Sequence, residues 1–183
     1  MHDCFACLQR DGLLLKSDAN FPSVATLVAR GPVRGSWWAH PAAHDIFRTL
    51  QDLAAHPDVL IVKLVAGKDT LVHRRLWPEL LAIAQSKEPW QFAKLPAEAR
   101  ALYEKVRKSG ELQTSGAAAK LLEARLLVRA EQFHSETGHH EKHLASWEHW
   151  AGRMGLADAE LPSAPFAKSA FEAILPGARW PWK

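Results

Sequence analysis

The residues that could do chemistry are histidines, two cysteines and scattered carboxylates, and their spacing decides what they could build. Ten His residues occur in 183. His40 and His44 lie four apart, as do His139 and His143. That spacing would put two imidazoles on one helix face for a metal ion. A third ligand would come from Asp45, Glu136 or Glu141. Pro41 interrupts the first pair at a helix start, and the second pair falls on an expected turn and strand, which breaks the spacing. The plainer reading is capping and surface His, some protonated against phosphate or Glu. Cys4-Phe5-Ala6-Cys7 is a single C-x-x-C beside His2, half of a zinc or redox site with no second half. A terminal segment packing Phe5 and Leu8 is the simpler account. Ser36 and Ser135 each have a His nearby, but nearness in sequence does not make a triad. No Gly-rich phosphate loop, G-x-S-x-G elbow or H-E-x-x-H is present. No catalytic residue, metal or cofactor is therefore assigned.

What remains is charge, and it gathers on one stretch. Val59 to Val65 is apolar and rich in β-branched residues. Ala66-Gly67-Lys68-Asp69 supplies the Gly that a tight hairpin turn needs, and Thr70 to Arg74 returns. Trp77-Pro78 then opens a helix, where Pro costs no hydrogen bond. The hairpin brings Lys63, Lys68, His73, Arg74 and Arg75 together. The net charge is +3 and the pI about 9.0, a mild excess that permits a polyanionic partner without demanding one.

The elements that must position these groups follow from periodicity. Phe21 to Arg30 reads as a helix ended by Gly31-Pro32, and Trp37-Trp38 as an anchor to the core. Residues 42–55 form the clearest helix, with Ala43, Ile46, Phe47, Leu50, Leu53 and Ala54 on one stripe. A helix from Trp77 to Gln85 follows the hairpin. Residues 86–96, with two Pro, read as a linker. Helices over 97–108 and 116–125 follow, separated by Gly110 and a short strand at 111–113. Leu126 to His134 reads as a strand, 136–139 as a turn, His140 to Leu144 as the return, and Trp147 as a helix start. A helix from Ser163 to Leu175 precedes a tail with Trp180 and Trp182, which should dock on the body or on a second copy.

The order of elements repeats: helix 21–30, helix 42–55, hairpin and helix match helix 97–108, helix 116–125, hairpin and helix. The expected fold is α+β and helix-rich: a segment at 1–20, winged-helix-like units at 21–86 and 97–151 in tandem, and a docking tail at 152–183. In a winged helix the helix before the wing enters the major groove and the wing touches phosphate or the minor groove. DNA is thus the expected partner. Arg48 and Gln51 would read from the first unit, Lys63, Lys68, His73, Arg74 and Arg75 would hold from its wing, and Arg129, His139 and Lys142 would add contacts from the second. Asp52, Glu123, Glu131 and Glu136 interleave, as on the solvated face of an interaction module.

Two such units in tandem resemble the bacterial interstrand-crosslink-repair DNA glycosylases. That family carries a catalytic Gln-x-Gln or Gln-x-Asp with an apolar central residue. The Gln-x-Asp present here is Gln9-Arg10-Asp11, with Arg central and near the start of the chain. The resemblance therefore implies DNA binding and transfers no catalytic residue. The blocks RGSWWAHP, HPDVL and HRRLWP also resemble an uncharacterised bacterial family.

Composition sets the outer bounds. With 48% apolar and 23% charged residues, the chain is an ordinary globular protein. Two Cys cannot form a disulfide framework, so a reducing cytoplasm is expected. No apolar run has the length of a membrane span, and the start of the chain lacks the order of a signal peptide. A small metal-dependent or base-excision enzyme and a protein–protein adaptor are the rival readings. Oligomeric state is left open.

Overall fold

A computed structural model describes residues 4–134 and 140–183. The fold is α+β, about 51% helical, with two small three-stranded antiparallel sheets. The chain divides into two compact units, Met1–Trp77 with Ala170–Trp180, and Pro78–Ser169 with Pro181–Lys183. Among the described residues no helix is long and apolar enough to cross a membrane.

The first unit begins with α1 (Cys4–Asp11) and β1 (Leu13–Leu15). The N-terminal segment at 1–20 falls within the first unit. The Gln9-Arg10-Asp11 stretch is helical, and Gly12, at φ +87°, makes the exit. A Cβ there would lie 2.7 Å from both Arg75 Nη2 and Leu76 Cδ1, so any other residue must displace those side-chain ends as well as bear the positive φ. The Leu13-Leu14-Leu15 triplet is fully buried. Next come α2 (Val24–Ala29), α3 (Ala43–Ala54), β2 (Val59–Lys63) and β3 (Asp69–His73). Ser23 caps α2 through a reciprocal box, with Thr26 N–H donating to Ser23 Oγ and Ser23 N–H to Thr26 Oγ1, both at 3.2 Å. The sheet order is β1-β3-β2. Ile46, Leu50 and Leu53 of α3 pack with Leu8, Leu14, Val24, Trp37 and Leu71 in one core.

The first hairpin differs from expectation at its tip. Asp69 belongs to β3, opposite Lys63, rather than to the turn. The connection is Leu64 to Lys68, with Ala66 and Gly67 both at positive φ. Leu64 and Val65 are buried, and the backbone N–H of Ala66 donates to the Arg179 carbonyl at 2.7 Å. The C-terminal tail therefore docks on the hairpin tip of its own chain. It follows α9 (Ala164–Ile174) and anchors with Trp180, whose ring meets Phe171 edge-on at 5.9 Å.

Helix α4 (Trp77–Ala84) leads into the second unit. The expected linker is corrected here: residues 86–96 contain α5 (Pro89–Phe92), with Pro at its first turn. Gln91 is fully buried. Its amide donates to the Ala84 carbonyl at 2.9 Å, and its Oε1 accepts from Glu88 N–H at 2.9 Å. Then follow α6 (Ala97–Ser109), β4 (Glu111–Thr114), α7 (Ala117–Ala124), β5 (Arg129–His134), β6 (His140–Ala145) and α8 (Trp147–Arg153). The sheet order is β4-β6-β5. Leu126 to Val128, expected in the strand, turn into it instead, with Leu126 at φ +51° and all three buried. The expected turn at 136–139 lies outside the described residues.

The repeat is real in topology but its phase differs from the sequence reading. Gly12 and Gly110 both sit at positive φ between a helix and the first strand of a sheet. Each carbonyl accepts from the residue after the sheet's middle-strand partner: His73 N–H to Gly12 at 2.9 Å, and Ser146 N–H to Gly110 at 2.8 Å. Helix α1 therefore matches α6, not helix 21–30. Helix α3 matches α7, and α2 has no counterpart, because β4 passes to α7 through Ser115 and Gly116 alone.

Candidate nucleic-acid interface

Helix α3 buries Ile46, Leu50 and Leu53, so its spacing turns His44, Phe47, Arg48 and Gln51 outward on one face. Asp45 and Asp52 run down one edge of that face, away from Phe47. Arg48 and Gln51 are exposed, and neither side chain has an ion pair or hydrogen bond among the described residues. A short 3-10 turn, Trp37–Ala39, precedes the helix. Its Trp37 is buried in the core, as expected, but Trp38 is 62% exposed. The Trp38 ring stacks on Trp37 with centroids 4.0 Å apart and lies 5.5 Å from Phe47. Adjacency in sequence gave no signal that one Trp faces in and the other out.

The hairpin cations divide between its two ends, Lys63 and Lys68 at the turn and Arg74 and Arg75 just past the His73 end, and most are already engaged. Lys63 Nζ lies 2.5 Å from Asp69 Oδ1, and Lys16 lies 3.6 Å from the other oxygen. Lys68 Nζ is 2.6 Å from Asp18 Oδ2. Burial alone would raise the Asp18 carboxyl. The bonds from Lys68 and from the N–H groups of Asn20 and Phe21 overcome it and hold the acid below the usual carboxylate range. Arg74 pairs with Asp58 at 3.0 Å and sits over the Trp77 ring. Arg75 donates to the Arg10 carbonyl at 3.0 Å. The Arg74 side chain is 60% exposed in its pair, and such surface pairs exchange partners at little cost.

His73 differs most from its expected role. It is buried, its Nδ1 accepts from Arg75 N–H at 3.3 Å, and its Nε2 is buried without a hydrogen-bond partner among the described residues. Burial lowers its proton affinity, so it presents neither charge nor a donor to phosphate. Its neighbours are the rings of Phe5, with centroids 5.8 Å apart, and through Phe5, of His56.

In the second unit Arg129 Nη1 lies 2.5 Å from Glu131 Oε2, and Lys142 forms an ion pair with Glu123. Arg125 donates to the carbonyls of Trp90 and Ala93, which makes it a structural tie. His139 lies outside the described residues. Sequence spacing also missed a cluster: Glu111 at the start of β4 receives His143 and His149 at 3.5 Å each and Arg153 at 3.7 Å. It ties α8 to the sheet and draws on three elements, which no local pattern reveals.

The remaining groups do not converge. His40 lies outside α3, its Nδ1 accepting from Ala42 N–H at 3.1 Å, so the His40–His44 pair does not share a helix face. His143 lies on a strand. Cys4 and Cys7 lie on α1 and are not joined in a disulfide. Among the described residues no group of three or more His, Cys, Asp or Glu is placed to hold a metal ion.

The chain matches no protein-family model, no curated protein and no solved structure.

Proposed function

We propose that this is a cytoplasmic DNA-binding protein built from tandem winged-helix-like units, with α3 as the reading helix of the first. One observation carries the proposal. The outward face of α3 offers Arg48, Gln51 and His44 unpaired, on the helix that immediately precedes the β2-β3 hairpin. The element order helix–strand–helix–helix–strand–strand, with the third strand central, supports the winged-helix reading of this unit. A helix of this kind fits the major groove, where Arg recognises guanine and Gln recognises adenine by paired hydrogen bonds. Arg74 and Arg75, just past the hairpin, take phosphate, with Arg74 exchanging its exposed pair to Asp58. Lys63 and Lys68 contribute less, since each is held by a carboxylate and the tip carries the tail.

The test is fluorescence anisotropy of a labelled duplex over a range of salt concentrations. DNA binding predicts affinity that falls steeply as salt rises, with a log–log slope that reports several displaced counterions. No association at low salt would contradict the proposal and favour the adaptor reading.

A further inference from the structure

We infer that Trp38 is a stacking platform for an unpaired nucleobase, placed beside the reading helix so that the protein prefers DNA with an unstacked or extruded base. The inference rests on the DNA-binding reading of α3 and specifies the kind of DNA.

An indole left 62% exposed stands against its hydrophobicity, and here it is not mobile packing at a chain end. Trp38 sits in a 3-10 turn whose other Trp is embedded in the core. The 4.0 Å stack on Trp37, with planes 25° apart, covers one face of the Trp38 ring and fixes its plane. Phe47, itself 37% exposed, lies to the side with its ring tilted. The ring is thus backed, oriented and open, which is what base stacking needs.

The charge around it selects the ligand. Arg48 follows Phe47 on α3, and Arg34 lies four residues before Trp38; both are exposed and free of ion pairs among the described residues. The acids of α3, Asp45 and Asp52, lie on the far side of Arg48 from Phe47, three and four residues from that arginine. An aromatic platform whose nearest charged neighbour around α3 is a cation suits a base attached to phosphates better than an apolar peptide side chain. Stacking is indifferent to base identity, so the platform recognises an unpaired state rather than a sequence.

The experiment compares three probes of one sequence by anisotropy: a fully paired duplex, the same duplex with one bulged base, and the single strand. In the bulged probe 2-aminopurine replaces the bulged base, so that stacking on Trp quenches its emission. The wild type should bind the bulged duplex about tenfold more tightly than the paired one and quench the probe. W38A should lose the preference and the quenching while its affinity for the paired duplex stays within about twofold, and W38F should keep part of both. Paired-duplex binding by the wild type without preference, or W38A that still prefers and quenches the bulged probe, would overturn the platform and leave the reading of α3 intact. Failure of the wild type to bind any of the three probes would overturn both.

Discussion

The backbone N–H of Ala66 at the tip of the first hairpin donates to the carbonyl of Arg179, 2.7 Å away, so a residue near the C-terminus caps a turn more than a hundred positions earlier. The hairpin tip is not a free-standing wing. It is tied to a tail whose Trp180 is buried against Phe171. That contact moves the candidate DNA surface from the tip toward the face of α3.

Trp180→Ala should therefore destabilise the first unit by about 3–5 kcal/mol, the cost of deleting a large buried aromatic ring. Urea denaturation followed by far-UV circular dichroism reads this as a lower midpoint at unchanged slope. A midpoint equal to wild type would show that the tail does not hold the tip.

The two helix-to-strand glycines make a matched pair. Gly12→Ala and Gly110→Ala each combine positive φ with a collision: Arg75 and Leu76 in one case, His149 Nδ1 at 2.8 Å in the other. Each should cost about 2 kcal/mol or more. Gly67→Ala, at positive φ with open space around it, should cost about 1 kcal/mol. Equal effects at all three positions would remove the collision as a cause.

Much of this fold is legible in sequence, and what is not has physical causes. The stripe Ile46, Leu50 and Leu53 and the β-branched arms of the first hairpin carry their own periodicity, so α3, β2 and β3 are readable within a residue or two. Helix α1 is not, because Gln9-Arg10-Asp11-Gly12 has turn composition and only the Arg75 and Leu76 side chains show why a glycine stands there. Strand β1 is an ambiguous Leu triplet until β3 pairs with it across the chain. The candidate site was half legible. Arg48 and Gln51 follow from helical spacing. The pairing of Lys68 with Asp18, fifty positions away, does not.

Glu88 gives a pH prediction. The bond from Lys168, aided by Trp90 Nε1, outweighs burial and holds this carboxyl below its usual range. A carboxylate with a depressed folded-state pKa stabilises the fold above its unfolded pKa, and that contribution is lost as pH falls through the folded value. The thermal stability of wild type should thus fall on acidification below about pH 4.5. Glu88→Gln should be less stable than wild type at pH 7 by about 1–2 kcal/mol, with the difference shrinking toward pH 3. A difference constant with pH would rule out the ion pair as its source.

His73 titrates in a different window. Burial depresses its folded-state pKa, so the unfolded chain binds the proton first and stability falls as pH drops below about 6.5. His73→Phe should lose about 1 kcal/mol at neutral pH, where the Arg75 N–H loses its acceptor. It should also flatten the dependence between pH 7 and 5. NMR titration of the His73 ring tests the same point. A folded-state pKa above 6.5 would contradict the buried, neutral imidazole.

The most direct test of the reading face is charge reversal on α3 against charge reversal elsewhere. Arg48→Glu and Lys105→Glu, the latter on the exposed side of α6, change net charge equally. With duplex DNA at a fixed, moderate salt concentration, Arg48→Glu should weaken binding at least tenfold while Lys105→Glu stays within about threefold. Equal losses in the two variants, or an Arg48→Glu protein that binds like wild type, would contradict α3 as the surface that meets DNA.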